Sequence, residues 1–275
     1  MSLLNPIKKL SYHPFFVKTI RFLHIREPMR WAYYLLARPK DSEKAVSFEG
    51  IEVLFRVQSP LELRLVETPF QKGMGDERMV LKELIEALDI GDVAYDVGAS
   101  IGIHTLFMAK KVGQKGQVIA FEPEAGSFES LRKNIRLNEL NNVTPFQRAL
   151  GSDFAESMLY SRGVTAGFSL LEGVKGTQGQ RVKIIPGDSL VETDKLPFPK
   201  VVKIDVEGYE LYVIRGLEKA LRRKECRMVC CEIHPTMFPE DMKPQTITDL
   251  LKSFGFERIE SQVRGETIHV FCYRS

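Results

Sequence analysis

A glycine-rich segment between a predicted strand and a predicted helix carries the clearest chemical pattern in the sequence. Asp96 stands near the end of the apolar run 93–97, and the turn that follows consists of Gly98, Ala99, Ser100, Ile101 and Gly102. Glycine at both ends of this turn removes side chains where the backbone must approach a ligand closely. The free N–H groups at the start of the next helix suit a carboxylate or another polar group. We therefore predict that the segment from Asp96 to Gly102 binds a ligand.

The composition of this turn differs from that of dinucleotide-binding enzymes. Those enzymes use the pattern G-x-G-x-x-G, whereas Gly98 is followed here by Ala99, so the second glycine that faces the pyrophosphate is missing. The carboxylate of Asp96 would also repel a phosphate, although it could attract an amino group or a sulfonium. The pattern therefore disfavours an NAD-dependent oxidoreductase.

A second acidic residue follows the next predicted strand. Glu122 and Pro123 come after the run 117–121, roughly 20 residues beyond the glycine turn, where a carboxylate can accept hydrogen bonds from both ribose hydroxyls. Ala149 and Leu150, at the end of a third predicted strand, could present apolar side chains and a backbone N–H to an adenine ring, or simply complete a buried strand. Together these patterns predict a ligand that contains adenosine.

A third acidic pattern follows the predicted strand that includes residues 201–204. Asp205 and Glu207 belong to the string Lys-Ile-Asp-Val-Glu-Gly-Tyr-Glu, and the next strand ends in Cys-Glu-Ile-His, with His234 last. With the glycine turn and the Phe-Glu-Pro segment, these strings resemble the FkbM family of class I methyltransferases. The likeness covers residues from about 75 to 273. Ser100 is a small departure, because the family often has Asn there.

The resemblance implies an enzyme that uses S-adenosylmethionine as cofactor and methylates a hydroxyl of a sugar, a glycolipid or a natural product. A methyl sulfonium is already an activated electrophile, so the protein must mainly align the acceptor and remove its proton. Asp205, Glu207 or His234 could be that base, although Asp205 could only orient the cofactor, Glu207 could cap a helix and His234 could be structural. With Glu232 they could instead bind a divalent cation, but they lack paired helical spacing, and no metal ligand is assigned.

The elements that must position these residues alternate between strand and helix. Apolar runs predict strands at 93–97, 117–122, 143–150, 201–206 and 227–234, and helices are predicted to begin near Gly102, Glu124, Tyr209 and Gln245. This alternation is typical of a doubly wound α/β fold, in which helices cover both faces of a mostly parallel sheet. Residues 256–263 and 267–273 add an antiparallel hairpin at the C-terminus, which gives the seven strands of a Rossmann-like class I methyltransferase.

Further segments surround this core. Apolar and polar residues alternate over 46–57, which predicts a hairpin. Residues 76–88 carry apolar positions in a helical pattern. The glycine-rich residues 156–190 are predicted to be an insertion that forms a hairpin and loop at the edge of the sheet, either covering the substrate or only decorating the surface. We predict an N-terminal helical basic extension over 1–45 and a methyltransferase domain over 46–275, with its core at 90–275.

The first 40 residues differ in charge from the rest of the chain. The net charge is +3, and eight Lys and Arg residues stand here against the single acid Glu27. Pro14 and Pro28 predict two short helices over 14–26 and 28–37. These basic, aromatic helices could cover the main domain or contact an anionic lipid surface. The second possibility leaves an alternative function open, a non-enzymatic membrane-surface or scaffold protein.

Bulk properties favour a cytoplasmic protein. The sequence has no uninterrupted apolar run of about 18 residues and no secretory signal. Four cysteines lack the paired spacing of a zinc site and are predicted to be reduced core thiols, at Cys226, Cys230, Cys231 and Cys272. The expected partner is a small or lipid-linked hydroxylated acceptor and not a nucleic acid, with peripheral membrane contact possible through residues 1–40. The oligomeric state stays open.

Overall fold

A computed structural model of the protein describes residues 41–67, 70, 77–161, 168–170, 179–238 and 242–274. The predicted helices over 14–26 and 28–37 lie outside these residues, and the predicted domain boundary near residue 45 stays a prediction. Strands and helices are numbered along the described chain. None of the described helices combines the length and the apolar character needed to cross a membrane.

The first half of the described chain begins with a hairpin and continues with helices and strands in alternation. These elements are β1 (Ser42–Phe48), β2 (Ile51–Val57), α1 (Pro60–Glu67), α2 (Glu77–Ala87), β3 (Val93–Val97), α3 (Ile103–Val112), β4 (Gln117–Phe121), α4 (Ala125–Leu137) and β5 (Val143–Phe146).

The second half contains an insertion of short strands and then returns to the alternating pattern. Its elements are β6 (Ala149–Leu150), β7 (Ala155–Ser161), β8 (Phe168–Ser169), β9 (Gly179–Ile185), α5 (Gly187–Thr193), β10 (Val201–Ile204), α6 (Glu210–Gly216), α7 (Glu218–Arg222), β11 (Met228–Ile233), a 3₁₀ turn (Pro235–Met237), α8 (Pro244–Ser253), β12 (Arg258–Arg264) and β13 (Thr267–Tyr273).

The main sheet has seven strands in the order β12-β13-β11-β10-β3-β4-β5. The five strands from β11 to β5 are parallel, and β13 runs antiparallel to both of its neighbours. This confirms the predicted doubly wound sheet and its C-terminal hairpin. The chain moves outward from β3 to β4 and β5 and then returns to β10 on the other side of β3. Open α/β sheets bind ligands where the strand order reverses in this way, so we refer to the space outside the carboxyl ends of β3 and β10 as the crevice.

Side chains of the central strands alternate between two cores, one on each face of the sheet. In β3, for example, Ala94 packs on one side and Tyr95 on the other, as expected for a strand with both faces buried. The first core includes α2, α3, α4 and the β1–β2 hairpin, and the second includes the helices from α5 to α8. All four cysteines are free and buried, as predicted. The two packed layers hold the carboxyl ends of the strands in place.

The structure corrects the predicted strand over 143–150. β5 pairs with β4 at the edge of the main sheet, whereas β6 pairs with β9 in a separate four-stranded sheet. The exposed residues Gln147 and Arg148 divide the two strands. Pro145 fits β5 because an edge strand tolerates a residue without a backbone N–H. Sequence periodicity could not show this division, because both short strands contain buried apolar residues.

The structure also refines the predicted insertion and the helix after it. β7 and β9 form the expected antiparallel hairpin, but they lie in the separate sheet and not at the edge of the main one. The insertion ends at Ile185, because residues 187–190 already belong to α5. The helix predicted from Tyr209 is interrupted at Leu217, where α6 gives way to α7. The hairpin at 46–57 and the helix at 76–88 are confirmed, with bounds that differ by a few residues.

Candidate active site

The turn after β3 connects three strands at the floor of the crevice. The backbone N–H groups of Gly98 and Ala99 both donate to the carbonyl of Phe121, at 2.9 and 3.0 Å. Gly98 has a φ of 81°, and a Cβ atom there would lie 1.8 Å from the backbone oxygen of Asp205. Only glycine fits this position, because the turn must pass directly against the chain that leaves β10.

The carboxylate of Glu122 fixes the far side of this turn. One oxygen accepts a hydrogen bond from the backbone N–H of Ser100 at 2.7 Å, and the other accepts one from Glu124 at 2.8 Å. Ser100 adopts a left-handed conformation with a φ of 51°, which directs its N–H toward that carboxylate. Burial raises the pKa of Glu122 to about 7, although the two backbone bonds oppose the shift. A ligand that donates hydrogen bonds to Glu122 would therefore stabilise its charged form.

Several predicted cofactor residues contribute backbone and packing in the structure. Ala99 and Ile101 belong to the glycine turn, and both residues are buried in the first core. Ala149 and Leu150 are also buried, in β6 of the separate sheet. Pro123 accepts a long hydrogen bond of 3.4 Å from the amide of Gln180 in β9. That bond places the insertion beside the end of β4.

Asp96 and Lys203 form a buried pair beneath the turn. Asp96 is fully buried, accepts a hydrogen bond from the hydroxyl of Thr105 at 2.5 Å, and has its other oxygen 3.3 Å from Lys203 Nζ. Lys203 also donates to the carbonyl of Gly98 at 2.8 Å and lies 3.6 Å from a carboxylate oxygen of Asp205. Burial opposes its charge, but Asp96 and Asp205 outweigh that effect and raise the pKa of Lys203. Lys203, paired with Asp96, therefore holds the turn from below.

Three predicted catalytic residues converge at the carboxyl ends of β10 and β11. His234 Nε2 lies 3.9 Å from Asp205 Oδ1 and 3.7 Å from Glu207 Oε2, while its Nδ1 lies 2.7 Å from Glu210 Oε1. Glu210 is fully buried and also accepts a hydrogen bond from the backbone N–H of Gly208. We call Asp205, Glu207, Glu210 and His234 the carboxylate–histidine cluster.

Burial and neighbouring charges shift the pKa values of His234 and Asp205 in this cluster. Burial alone would lower the pKa of His234, but its hydrogen bond with Glu210 and the nearby Asp205 raise it to about 10. Burial raises the pKa of Asp205 to about 7, against the opposing effect of Lys203. His234 is therefore a cation at neutral pH, whereas Asp205 exchanges a proton near neutrality, as a general base does.

The turn that carries Glu207 also contacts the insertion. Glu207 adopts a left-handed conformation with a φ of 53°, and the hydroxyl of Ser169 in β8 donates to its carbonyl at 2.9 Å. The insertion thus touches the crevice at both the end of β4 and the turn after β10. The prediction that it covers a substrate stays a prediction.

Two residues important to this geometry were not identified from the sequence as site residues. Lys203 appeared only as part of a motif, although a lysine inside a buried strand requires a buried anion. Glu210 stood at the start of a predicted helix, where an acid is ordinary. Side-chain atoms of Asp205, Glu207 and His234 lie within 4.8 Å of one another, close enough to consider a cation there.

Comparison with known proteins finds a matching family model and several similar proteins. A family model described as "Methyltransferase FkbM domain" matches residues 96–258. "Hexuronic acid methyltransferase AglP" from Haloferax volcanii is 32% identical over 193 residues, which cover 70% of this chain and 75% of that protein. "Methyltransferase 1" from Beauveria bassiana is 29% identical over 143 residues, 45% of this chain and 57% of that one. A solved rRNA methylase from Streptococcus thermophilus is 13% identical with a TM-score of 0.46, over 74% of this chain and 99% of that structure.

Proposed function

The chain belongs to the FkbM family of S-adenosylmethionine-dependent methyltransferases, and on that basis we propose that it methylates a hydroxyl oxygen of a sugar-type acceptor. The observation that carries the proposal is the position of Asp205, whose backbone lies against Gly98 and whose carboxylate lies 3.9 Å from His234 Nε2, with a pKa that burial raises to about 7. One relative is named a hexuronic acid methyltransferase, which favours a hydroxylated sugar over other acceptors. Glycolipids and natural products that carry similar hydroxyls belong to the same chemical class.

The side of the crevice formed by the glycine turn and Glu122 fits the nucleoside part of the cofactor. Glu122 is fixed by two backbone N–H groups, and an ionised carboxylate has further lone pairs with which to accept the two ribose hydroxyls. The amino-acid part of the cofactor is proposed to lie above the turn from Gly98 to Gly102, in which glycine at both ends keeps two side chains away from the backbone. Ala149 and Leu150 are proposed to lie against the adenine.

The charges of the crevice fit the cationic part of the cofactor. Asp205, Glu207 and Glu232 approach His234 Nε2 at 3.7–3.9 Å, and Glu210 contacts the other ring nitrogen. One imidazolium is thus surrounded by four carboxylates, while Lys203 lies 3.6 Å from Asp205 and His269 lies 3.1 Å from Glu232. The excess of negative charge would attract a sulfonium and an ammonium group.

Different residues of the chain are proposed to have different roles in methyl transfer. The bound cofactor supplies a methyl group on a positively charged sulfur. Asp205 is proposed to accept the proton of the acceptor hydroxyl as the new bond forms, because its pKa lies near the working pH. His234, held by Glu210 and protonated, is proposed to donate a hydrogen bond to the acceptor and fix its orientation. Glu207 would contact the acceptor from the strained turn that the insertion supports.

Transfer of a labelled methyl group tests this function. We expect the full chain, given S-adenosylmethionine with a ¹³C methyl group and a panel of sugars, uronic acids and glycolipids, to form a methyl ether that NMR detects. The product of Asp205→Asn should be strongly reduced, whereas Asp194→Asn, an exposed acid at the end of α5, should behave like the wild type. Labelled methyl on nitrogen or carbon in place of oxygen would contradict O-methylation.

A further inference from the structure

A second group of histidines and carboxylates lies beside the carboxylate–histidine cluster, where the starts of α2 and α3 meet β11 and β13. Its members are Glu77, His104, Glu232 and His269. Glu77, His104 and His269 were not predicted as site residues from the sequence. We propose that Glu77, Glu232 and His269, with His104 beside them, bind one divalent transition-metal ion.

The side chain of His269 provides the strongest argument. His269 is 1% exposed, and neither of its ring nitrogens has a hydrogen-bond partner among the described residues. Its Nε2 lies 3.1 Å from Glu232 Oε2, so the two side chains form an ion pair when the imidazole is protonated, although the angles of the contact fall outside those of a hydrogen bond. Buried polar groups in native proteins are normally hydrogen-bonded, and a cation bound between His269 and Glu232 would give one ring nitrogen a ligand bond in place of the missing hydrogen bond.

Glu77 brings a second carboxylate and a second histidine to the same place. Its Oε1 accepts a hydrogen bond from Arg264 at 2.6 Å, and its Oε2 lies 3.4 Å from His104 Nε2. That nitrogen is also buried and has no hydrogen-bond partner in the described part of the chain. Two imidazoles with unsatisfied nitrogens therefore approach two carboxylates.

The positions of the donor atoms suit a single ion. Ligand atoms of Glu77, Glu232 and His269 all lie within 4.8 Å of one another. Glu232 and His269 are directly opposed in the antiparallel pairing of β11 and β13, so the backbone fixes two of the three ligands. Metal bonds of about 2.0–2.2 Å would draw the donor atoms somewhat closer together, which rotation of side chains can provide.

The donor set indicates which cation would bind. Imidazole nitrogen combined with carboxylate oxygen suits Mn²⁺, Fe²⁺ or Zn²⁺, whereas Mg²⁺ and Ca²⁺ prefer oxygen ligands alone. Arg264 neutralises one oxygen of Glu77 and leaves the other beside His104. The remaining charge of the two carboxylates would be balanced by the ion.

The proposed ion site is next to the carboxylate–histidine cluster but distinct from it. Glu232 Oε1 lies 3.9 Å from His234 Nε2, and Glu232 Oε2 faces His269. One carboxylate therefore separates the ion from His234. Ion binding requires neither cofactor nor acceptor, so it is testable independently of methyl transfer.

Binding of Mn²⁺ alone to the metal-free full chain tests the proposal. We expect calorimetry to find one saturable site per chain and pulsed EPR of the bound Mn²⁺ to show coupling to imidazole nitrogen. His269→Gln should weaken binding at least about tenfold and remove that coupling. The matched variant His234→Gln should keep both, because His234 belongs to the neighbouring cluster.

Two results would overturn the site. One is the absence of saturable Mn²⁺ binding, or of nitrogen coupling, in the wild-type chain, a measurement that does not depend on any variant folding correctly. The other is loss of Mn²⁺ binding in His234→Gln with retention of binding in a folded His269→Gln. That result would assign the ion site to Asp205 and Glu207. Thermal unfolding of each variant without metal verifies that the compared proteins are folded.

Discussion

The two walls of the crevice are assembled from different kinds of contact. Around the glycine turn, backbone N–H groups of Gly98, Ala99 and Ser100 bind the neighbouring β4 segment directly. In the carboxylate–histidine cluster, Asp205 and His234 approach each other through side chains that come from different strands. The first wall is set by local backbone conformation, and the second by the packing of the whole sheet. This difference suggests a rigid wall for the cofactor and a wall of charged side chains, able to respond to a proton, for the acceptor.

Lys203 joins the two walls, so its removal should have the largest effect. Lys203→Met leaves Asp96 buried without its cationic partner and also removes the contacts with Gly98 and Asp205. We expect the free energy of unfolding to fall by about 3–5 kcal/mol, as for other broken buried ion pairs. Denaturant unfolding followed by circular dichroism measures this change.

A surface lysine provides the control for this experiment. Lys219 pairs with Glu192, but its side chain is 70% exposed. Lys219→Met should therefore cost less than about 1 kcal/mol. Equal losses in the two variants would mean that Lys203 does not connect the walls as described.

Asp205→Asn should affect the second wall and not the first, because it removes the proposed base and leaves the glycine turn intact. We expect kcat to fall by about 10²–10⁴-fold while the affinity for S-adenosylmethionine stays close to that of the wild type. A base must be deprotonated to act, so wild-type kcat should rise with pH through about 7 and then level off. Rate measurements from pH 5 to 9 test both expectations. An unchanged pH profile in Asp205→Asn would assign the titration to another group.

Glu122→Gln should affect the cofactor wall alone. The amide keeps the size of the side chain, but its NH₂ group cannot accept from the backbone N–H of Ser100 or Glu124. We expect binding of S-adenosylhomocysteine to weaken by about 1–3 kcal/mol in calorimetry. Glu124→Gln is the matched control, because Glu124 caps α4 through Gly126 and Ser127 and should change stability more than affinity. Similar affinity losses in both variants would point to a general disturbance of the segment.

Ser169→Ala should have the smallest effect, on the contact between the insertion and the acceptor wall. It removes the hydrogen bond to the carbonyl of Glu207, with an expected loss of about 0.5–1.5 kcal/mol in stability. If the insertion positions the acceptor, KM for the acceptor should also rise while kcat changes little. Ser189→Ala, which removes a similar bond from α5 to the carbonyl of Pro186 just before that helix, should lower stability without changing KM. An unchanged KM in Ser169→Ala would leave the insertion without a role in acceptor binding.

The contrast between the walls also explains what the sequence could predict. The strand, glycine turn and helix around Gly98 are close in sequence, so residue type and spacing were sufficient to find them. The meeting of His234 with Glu210 depends on the lateral order of β10 and β11 and on the start of α6. Asp205 and Glu207 were recognised as candidates because they follow a strand that points to the crevice, but the pairing of Lys203 with Asp96 required the parallel register of β3 and β10.

Other features depended on tertiary context that sequence periodicity does not contain. The division of residues 143–150 between two sheets follows from the pairing of β6 with β9, about 35 residues further along the chain. The unsatisfied nitrogens of His104 and His269 become visible only when burial and hydrogen bonds are known together. Isolated histidines on a strand or helix gave no periodic signal of their own.

A crystal structure of the full chain with S-adenosylhomocysteine tests the central claim most directly. The account predicts that the amino-acid part lies over Gly98 to Gly102, that both ribose hydroxyls donate to Glu122, and that the sulfur faces Asp205 and His234. A nucleoside bound elsewhere, or a sulfur directed away from the carboxylate–histidine cluster, would contradict it.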